Sequence, residues 1–328
     1  MTTQAEKGWE KIHWVQAHMP LHTAIKERFV RELPFTGHRI GAALHLEAKT
    51  ANLMLTLHAG GAQLHVIGSN PYSTQDEIVA ALAGVDRIVV DACYGESAQE
   101  HAEKIDRLLQ FSPTLIVEDG GEVIERVTDS GSLGAPDLLG ICEETTTGVE
   151  CLQRLTSEGK LSVPAIAVND AQMKHLFDNR YGTGQSVWEA IMHATNLSIA
   201  GKTALIIGYG WCGKGLAMRA DGLGARVLVV EIDPIKAVEA LMEGYEVVSL
   251  EDGVRQAAFV VTATGRENVI DEGMLRCMRD GALLANAGHF GYEIDRQALV
   301  QLAEERRQVR AGVEAYTLLE RTSSLPVK

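Results

Sequence analysis

The feature that most restricts the fold is the segment TALIIGYGWCGKG, residues 203–215. An apolar run leads directly into glycines at positions 208, 210 and 213, which have the spacing G-x-G-x-x-G. A helix-compatible segment follows, and a second apolar run, ARVLVVE, ends at Glu231. The glycine pattern alone is a weak signal. Strand, glycine turn, helix, strand and acid in this order form the complete dinucleotide-binding fingerprint.

Each part of this fingerprint has a physical role. Gly208 permits the sharp turn, Gly210 lets the backbone approach a pyrophosphate, and Gly213 lets helix and strand pack closely. The helix N-terminus attracts the phosphate charge. Glu231 is placed to accept hydrogen bonds from the adenosine ribose and to repel a 2′-phosphate, so the predicted cofactor is NAD and not NADP.

Short apolar runs alternate with helix-length segments through the rest of the chain. Ahead of the glycine motif, strands are predicted at 38–46, 62–69, 86–90, 113–119 and 164–169. This alternation predicts parallel sheets with right-handed crossovers. The fold class is therefore α/β: two domains of parallel sheet flanked by helices, the second a Rossmann NAD-binding fold. Because turn formers cluster in DNRYGTG, we predict a first domain at 1–180, the NAD-binding domain at 181–316 and a loose tail at 317–328.

Composition excludes several classes of partner. The net charge of −14 and the pI near 5.3 disfavour nucleic acid and anionic membranes. No run approaches the roughly 18–20 apolar residues that span a bilayer. The first residues lack an apolar signal core, so a cytoplasmic location is expected. Neither a disulfide framework nor a metal site is predicted, because no CxxC occurs and the cysteines are widely spaced: Cys93, Cys142, Cys151, Cys212 and Cys277.

Polar residues follow several predicted strands. His45 ends GAALH, Asp119 precedes two glycines, and Glu144 precedes three threonines at a predicted helix start. His289 follows ANAG, another apolar run. Taken singly, His45 could be a core histidine, Asp119 a turn former and Glu144 a helix N-terminal carboxylate. Together they are more informative, because open α/β sheets bind ligands at the carboxyl ends of their strands.

The segment VNDAQMKHLFDN places Lys174 and Asp178 four residues apart. On an α-helix these two side chains share a face. A solvated surface ion pair is the commonest outcome of this spacing. The alternative is an amine and a carboxylate held against a substrate hydroxyl.

Eight segments together resemble the S-adenosylhomocysteine hydrolase family: LHLEAKTA, SNPYSTQD, VEDGGE, EETTTGV, VNDAQMKHLFDNRYG, AGKTALIIGYGWCGKG, EIDPIKAVEALMEGYEV and NAGHFGYEID. The resemblance covers about residues 35–316, and its EETTTG, FDN and GHF blocks are highly specific. The LHLEAKTA and NRYGTGQ sequences are similar to those of the archaeal and thermophile-type branch of the family. Some members of that branch act on the inosyl analogue of S-adenosylhomocysteine.

The resemblance implies an enzyme that holds NAD and clamps a purine nucleoside between two domains, the first being the substrate domain. NAD oxidises a ribose hydroxyl to a ketone, which acidifies the neighbouring C–H. A base then removes that proton and a leaving group β to the ketone departs. An unactivated C–H is far too weak an acid for a carboxylate, whereas one next to a carbonyl is within reach when the enolate is stabilised.

The resemblance also implies roles for individual residues. Lys174 and Asp178 would handle the oxidised hydroxyl, Asp119 would be the C–H base, and His45 the acid or base at the leaving group. Glu144 would hold ribose hydroxyls and His289 would assist near the sugar. The remaining cofactor residues would be Thr145, Thr146, Thr147, Asn179 and Asn286, together with Gly208, Gly210, Gly213 and Glu231. The substrate-binding residues would be Glu47, Lys49, Thr50, Asn70 and Gln75.

Two departures from the family pattern shape the functional hypothesis. Glu47 and Lys49 stand where many hydrolases have Thr and Glu, and a lysine can only donate to a base. Adenine and hypoxanthine are therefore both candidates for the base of the substrate. Family members also continue through a His-Pro loop and a C-terminal arm that do not occur in these 328 residues. We therefore expect weaker NAD binding and an incomplete pocket for the amino acid.

A smaller leaving group would suit an incomplete pocket. The first hypothesis is thus a nucleoside dehydratase that forms an exocyclic alkene by loss of water, as in nucleoside antibiotic biosynthesis. The alternatives are a hydrolase of S-adenosyl- or S-inosylhomocysteine and a non-catalytic regulator that binds NAD and nucleoside. An ordinary 2-hydroxy-acid dehydrogenase would leave EETTTG unexplained. The expected partners are a purine nucleoside and further copies of this chain in a homo-oligomer.

Overall fold

In the computed structural model, residues 2–129, 137–289 and 291–318 are described. The chain divides into two compact units, Met1–Asn169 and Asp170–Lys328. The predicted boundary between residues 180 and 181 concerns functional domains and stays a prediction. The tail predicted at 317–328 lies outside the described residues from 319 onward, and its first two residues belong to a strand.

The first unit opens with two helices, α1 (Gln4–Ala17) and α2 (Pro20–Glu32). Strands and helices then alternate. The strands are β1 (Arg39–Leu44), β2 (Gln63–Gly68), β3 (Ile88–Asp91), β4 (Leu115–Glu118), β5 (Gly140–Glu143) and β6 (Ala165–Ala167). The helices between them are α3 (Ala48–Ala59), α4 (Asp76–Leu82), α5 (Ala98–Gln110), α6 (Glu122–Asp129) and α7 (Thr146–Ser157). A 3₁₀ turn, Val168–Asp170, follows β6.

The six strands form one parallel sheet in the order β3-β2-β1-β4-β5-β6. The chain runs outward from β1 to β3 and returns beside β1 as β4, so strand order reverses between β1 and β4. Both faces of the sheet are covered, which is why its strands read as nearly continuous apolar runs. Ile40 and Val66 pack on one face, and Ile67 and Ile116 on the other.

The second unit begins with a π-helix, Lys174–Gly182, which continues as α8 (Thr183–Thr195). Its central strands are β7 (Thr203–Ile207), β8 (Arg226–Val230), β9 (Glu246–Val247), β10 (Phe259–Thr262) and β11 (Leu283–Asn286). The helices are α9 (Trp211–Gly222), α10 (Pro234–Met242), α11 (Leu250–Gln256), α12 (Glu272–Cys277) and α13 (Arg296–Leu302). A hairpin, β12 (Ala303–Arg310) and β13 (Val313–Leu318), ends the described chain.

The parallel sheet of the second unit has the order β11-β10-β7-β8-β9. Its strand order reverses between β7 and β10, and the glycine motif follows β7. The prediction of two parallel-sheet α/β domains, the second of Rossmann type, is confirmed. Among the described residues, no helix is long and apolar enough to cross a membrane.

Several elements differ from the sequence predictions. β5 was missed, because its four residues lie between an apolar segment and the polar EETTTG block. The helices α1 and α2 and the hairpin β12–β13 were also not predicted. The α-helix expected across Lys174 and Asp178 is wrong, because the backbone there forms a π-helix with i→i+5 hydrogen bonds.

Candidate active site

In the first unit, the point where strand order reverses brings His45 and Asp119 together. His45 directly follows β1 and Asp119 directly follows β4. The Nε2 nitrogen of His45 lies 3.0 Å from Oδ2 of Asp119, and Nδ1 lies 2.6 Å from the Ser73 hydroxyl oxygen. The Asp119 carboxylate is buried, whereas the His45 ring is partly exposed. A buried carboxylate beside an accessible imidazole at a strand end is suited to proton transfer.

The backbone after Asp119 turns through two glycines with left-handed φ values, +119° at Gly120 and +84° at Gly121. Such a turn strains any residue that has a Cβ. The neighbouring strand β5 ends beside it, because Glu118 and Glu143 are paired in register. Glu144 is thereby anchored as well, since its N–H donates to the Glu118 carbonyl oxygen at 2.9 Å.

The threonines predicted to bind cofactor lie at the start of α7. Thr145 is the N-cap residue and its side chain makes no capping hydrogen bond. The Thr146 hydroxyl accepts from the Asn169 amide at 3.3 Å. The Thr147 hydroxyl oxygen is buried and has no hydrogen-bond partner within the described part of the chain. A buried hydroxyl in that state is expected to bind a ligand or water.

Two buried carboxyl groups in this unit were missed by sequence reasoning. Glu118 accepts from the N–H groups of Val123 and Ile124, at 2.9 and 3.3 Å, at the start of α6. Burial, reinforced by the neighbouring Glu143, raises the pKa of Glu118 well above its ordinary value. Burial also raises the pKa of Glu143 to about 7, against the lowering effect of N–H donors. The signal was visible, since Asp119 and Glu144 each have a second acid directly before them.

The side chains of the predicted substrate-binding residues Glu47, Asn70 and Gln75 each contact a different part of the first unit. The Glu47 carboxylate accepts from the Lys49 and Thr50 N–H groups, at 2.7 and 2.9 Å, and so serves as the N-cap of α3. The Asn70 side chain accepts from the Tyr72 N–H at 2.9 Å. The Gln75 side chain accepts from Lys11 of α1 at 3.1 Å.

In the second unit, the π-helix gathers the polar side chains of the FDN block. The Lys174 ammonium lies 3.0 Å from an Asp178 oxygen and donates to the Asn179 side chain at 2.6 Å. Asp178 and Asn179 are four and five residues after Lys174, about one turn along a π-helix, so one ammonium contacts both. Lys174 is mostly buried, with 14% of its side chain exposed, whereas Asp178 is 61% exposed. This is not the fully solvated surface pair that the spacing alone would suggest.

The π-helix also packs directly on α9, the helix after the glycine motif. A Cβ on Gly215 would lie 1.7 Å from the Arg180 carbonyl oxygen, so only glycine permits this approach. The Trp211 ring at the start of α9 lies 5.2 Å from the His175 ring, centroid to centroid. The segment carrying Lys174 is therefore held against the glycine turn.

The glycine turn has the shape that a dinucleotide needs. Gly208 has φ +94°, and a Cβ on Gly213 would lie 1.9 Å from the Gly208 carbonyl oxygen. A Cβ on Gly210 would meet nothing within 4 Å, so the space above it is open. Gly210 is the N-cap of α9 and makes no side-chain capping hydrogen bond, and a helix N-terminus of this kind is suited to bind a phosphate. Glu231 accepts from the Tyr209 N–H at 2.6 Å beside the turn.

The carboxyl end of β11 carries the other two predicted residues. The Asn286 oxygen accepts from the Thr262 hydroxyl at 2.9 Å and from the Gly288 N–H at 3.2 Å. His289 follows Gly288, and Phe290 of the GHF block lies outside the described residues. Glu293, fully buried and missed by sequence reasoning, accepts from Thr264 N–H at 2.8 Å and thereby anchors the loop after β10.

These features define an NAD-binding α/β enzyme with acid–base groups at its strand ends. Two family profiles match the chain. Residues 2–136 match S-adenosyl-L-homocysteine hydrolase, and residues 179–325 match the NAD binding domain of the same enzyme. The chain therefore belongs to the S-adenosyl-L-homocysteine hydrolase family, and its cofactor is NAD.

Individual relatives agree with this assignment. The chain is 47% identical over 323 residues to an S-inosyl-L-homocysteine hydrolase of Methanosarcina acetivorans, which covers 98% of this chain and 79% of the relative. It is also 47% identical to an adenosylhomocysteinase of Thermotoga maritima (95% and 77% covered) and 48% identical to one of Pyrococcus abyssi (96% and 74%). The predicted resemblance and the prediction of an NAD-dependent enzyme are confirmed.

The same relatives overturn the first functional hypothesis. They are named as hydrolases of homocysteine thioethers, so the interpretation as a nucleoside dehydratase of antibiotic biosynthesis is wrong. The LHLEAKTA, EETTTG and FDN segments, which the resemblance assigns to the hydrolase family, are all present in this chain.

Proposed function

We propose that this enzyme hydrolyses S-inosyl-L-homocysteine to inosine and L-homocysteine, with S-adenosyl-L-homocysteine as the second candidate substrate. The polar groups at the strand ends of both units support thioether hydrolysis, foremost the contact between His45 and Asp119 at 3.0 Å. The names of the relatives support the homocysteine thioether as substrate class.

Bound NAD supplies the acceptor and later the donor of a hydride. In this mechanism Lys174 and Asp178 orient the ribose hydroxyl that is oxidised and take up its proton. Asp119 removes the proton from the carbon next to the resulting ketone, and His45 protonates the departing sulfur. Water then adds at the carbon that lost the sulfur: His45 takes up the water proton, and Asp119 returns its proton to the neighbouring carbon. The ketone is then reduced by the hydride and regains its hydroxyl proton from Lys174 and Asp178. One water is consumed, and one thiol and one nucleoside are released.

The preference for hypoxanthine depends on one observation at α3. The Glu47 Oε1 oxygen accepts from two backbone N–H groups and Oε2 lies 3.9 Å from the Lys49 ammonium, so this carboxylate is poorly placed to accept from an adenine amino group. The Lys49 ammonium is 72% exposed and can only donate. A donor there matches the carbonyl oxygen of hypoxanthine. The adenosyl substrate stays a candidate because relatives of equal identity are named adenosylhomocysteinases.

The test is release of homocysteine, detected with a chromogenic disulfide, from both thioethers. We expect kcat/KM to favour the inosyl substrate by at least ~10-fold, the value of one good hydrogen bond of about 1.4 kcal/mol. Lys49→Met should remove this preference, whereas the matched control Lys160→Met, which alters another exposed lysine, should keep it. If neither thioether releases thiol, hydrolysis is refuted. A higher kcat/KM for the adenosyl substrate would refute the assignment of hypoxanthine as the base.

The homo-oligomer belongs to the same proposal. The second unit exposes large apolar side chains in and beside α10, with Ile232 95%, Ile235 76% and Met242 83% exposed. Exposed apolar clusters of this kind are typical of association surfaces. Light scattering should give a mass above that of one chain, and Ile235→Glu with Met242→Glu should lower it. A monomeric wild-type protein would contradict the proposal.

A further inference from the structure

Glu143, the last residue of β5, has an unusual environment for a carboxyl group. Its relative exposure is 0%, and its two hydrogen-bond donors within the described residues are the uncharged backbone N–H groups of Gly120 and Thr145. Burial of such a group without compensation costs several kcal/mol. A side chain retained at that cost, at the end of a central strand, calls for a structural or functional explanation.

One oxygen of this carboxyl joins two loops. Oε1 accepts from the Gly120 N–H at 3.0 Å and from the Thr145 N–H at 2.9 Å. Gly120 directly follows Asp119, and Thr145 directly follows Glu144. The backbone on the carboxyl side of both predicted site acids is therefore held by the same atom.

The surrounding chain makes room for this carboxyl. A Cβ on Gly148, in the first turns of α7, would lie 2.1 Å from the Glu143 Cδ carbon. Any other residue at position 148 would collide with the carboxyl group. The other oxygen, Oε2, is buried and has no hydrogen-bond partner within residues 2–129, 137–289 and 291–318. Within the described residues, the hydrogen bonds of the Glu143 side chain are therefore made by Oε1.

The turn that Glu143 holds requires such an anchor. Gly120 and Gly121 both have left-handed φ values, and glycine gains the most conformational freedom when a contact is lost. Without the Glu143 bond, the backbone beside Asp119 has many accessible conformations, and the 3.0 Å contact of Asp119 with His45 is no longer enforced from that side.

We propose that Glu143 is a positioning residue that fixes Asp119 and Glu144 in their working positions by anchoring both loops, with Gly148 as the glycine that this arrangement requires. Glu143 itself touches no reacting atom. The inference rests on the proposed hydrolase function, in which Asp119 removes the sugar proton, and it adds a residue to which that mechanism gives no role.

Three variants of the NAD-loaded enzyme test this role, with solvent deuterium uptake at the sugar carbon as the readout for proton removal. Glu143→Ala removes the acceptor, so kcat and deuterium uptake should fall by ~100-fold, the cost of a misplacement of about 1 Å, while KM changes little. Glu143→Gln keeps an acceptor oxygen and should recover most of this loss. Gly148→Ala displaces the carboxyl and should behave like Glu143→Ala.

Gly84→Ala is the matched control, because its added Cβ would meet only an ordinary contact of 3.6 Å. Wild-type rates in a folded Glu143→Ala protein would overturn the inference, as would equal losses in Glu143→Gln and Glu143→Ala. If Glu143→Ala does not fold, Gly148→Ala decides: reduced deuterium uptake with retained KM supports the inference, and wild-type uptake refutes it. Failure of the wild-type enzyme to release thiol or take up deuterium would instead refute the proposed function.

Discussion

The Nε2 nitrogen of His45 lies 3.0 Å from the Oδ2 oxygen of Asp119, because β1 and β4 are adjacent where the strand order of the first sheet reverses. If Asp119 is the C–H base, Asp119→Asn removes proton abstraction but leaves hydride transfer intact. We expect thiol release and deuterium uptake to fall by about 10²–10⁴-fold, while reduced-nicotinamide absorbance still appears when substrate is added.

Asp106→Asn is a suitable control for that experiment, because Asp106 pairs with Arg126 on an exposed surface of the same unit. It should retain wild-type rates. Deuterium uptake at the wild-type rate by Asp119→Asn would assign the proton abstraction to another residue.

Lys174 is predicted to act at the oxidation step. Its ammonium is held at 2.6 Å by Asn179 and at 3.0 Å by Asp178, so Lys174→Met removes the charge from a prearranged cluster. We expect the variant to bind NAD but to form no reduced nicotinamide with substrate. Lys202→Met, which changes another lysine of the second unit, should react normally. Normal absorbance changes in Lys174→Met would contradict the role.

Substitutions at two glycines of the dinucleotide turn should have different effects, one on folding stability and the other on cofactor binding. Gly213→Ala places a Cβ 1.9 Å from the Gly208 carbonyl oxygen, so we expect lower thermal stability even without NAD. Gly210→Ala meets nothing within 4 Å and should leave the stability of the NAD-free protein nearly unchanged. Its methyl group nevertheless enters the space for the pyrophosphate, so the Kd for NAD should rise by ~10-fold or more.

Gly222→Ala is the control for both variants, because its Cβ would also meet nothing within 4 Å. It lies at the far end of α9, where alanine should add about 0.5–1 kcal/mol of stability. Calorimetry of NAD binding and thermal melting distinguish the three variants. Equal NAD affinity in Gly210→Ala and the wild type would show that the pyrophosphate does not approach this position.

The Rossmann unit could be predicted from sequence because its information is local. A strand, a glycine turn, a helix and a following acid lie within residues 203–231, and each part restricts its neighbour. β5 escaped prediction for the opposite reason. Its four residues become a strand because β4 and β6 lie on either side of it, and those contacts join distant parts of the chain.

The site shows the same division. His45 and Asp119 could be selected because both follow apolar strands. Glu143 could not, because its role depends on burial and on two N–H groups from different loops. The π-helix was missed because the spacing of Lys174 and Asp178 fits an α-helix equally well, and the Lys174–Asn179 bond that distinguishes the two appears only in the structure.

The pKa of Glu143 leads to the last prediction, which concerns stability and pH. Burial is the main cause that raises this pKa to about 7 from 4.5, and the charge of the nearby Asp119 adds to it. Below pH 4.5 the group is protonated in both folded and unfolded chains and contributes nothing. Between pH 4.5 and 7 the unfolded chain gives up the proton more readily, so stability falls as pH rises. Above pH 7 the loss is constant at about 3 kcal/mol.

Glu143→Gln does not titrate and escapes this loss. Relative to the wild type, the variant should therefore gain stability between pH 5 and pH 8, by up to about 3 kcal/mol. Urea unfolding at both pH values, with NAD kept at the same saturation, measures the difference. Glu118, which faces Glu143 and also has a raised pKa, titrates in both proteins, so Glu118→Gln in each background isolates the contribution of Glu143. A stability difference independent of pH would show that Glu143 is ionised equally in the folded and unfolded chain.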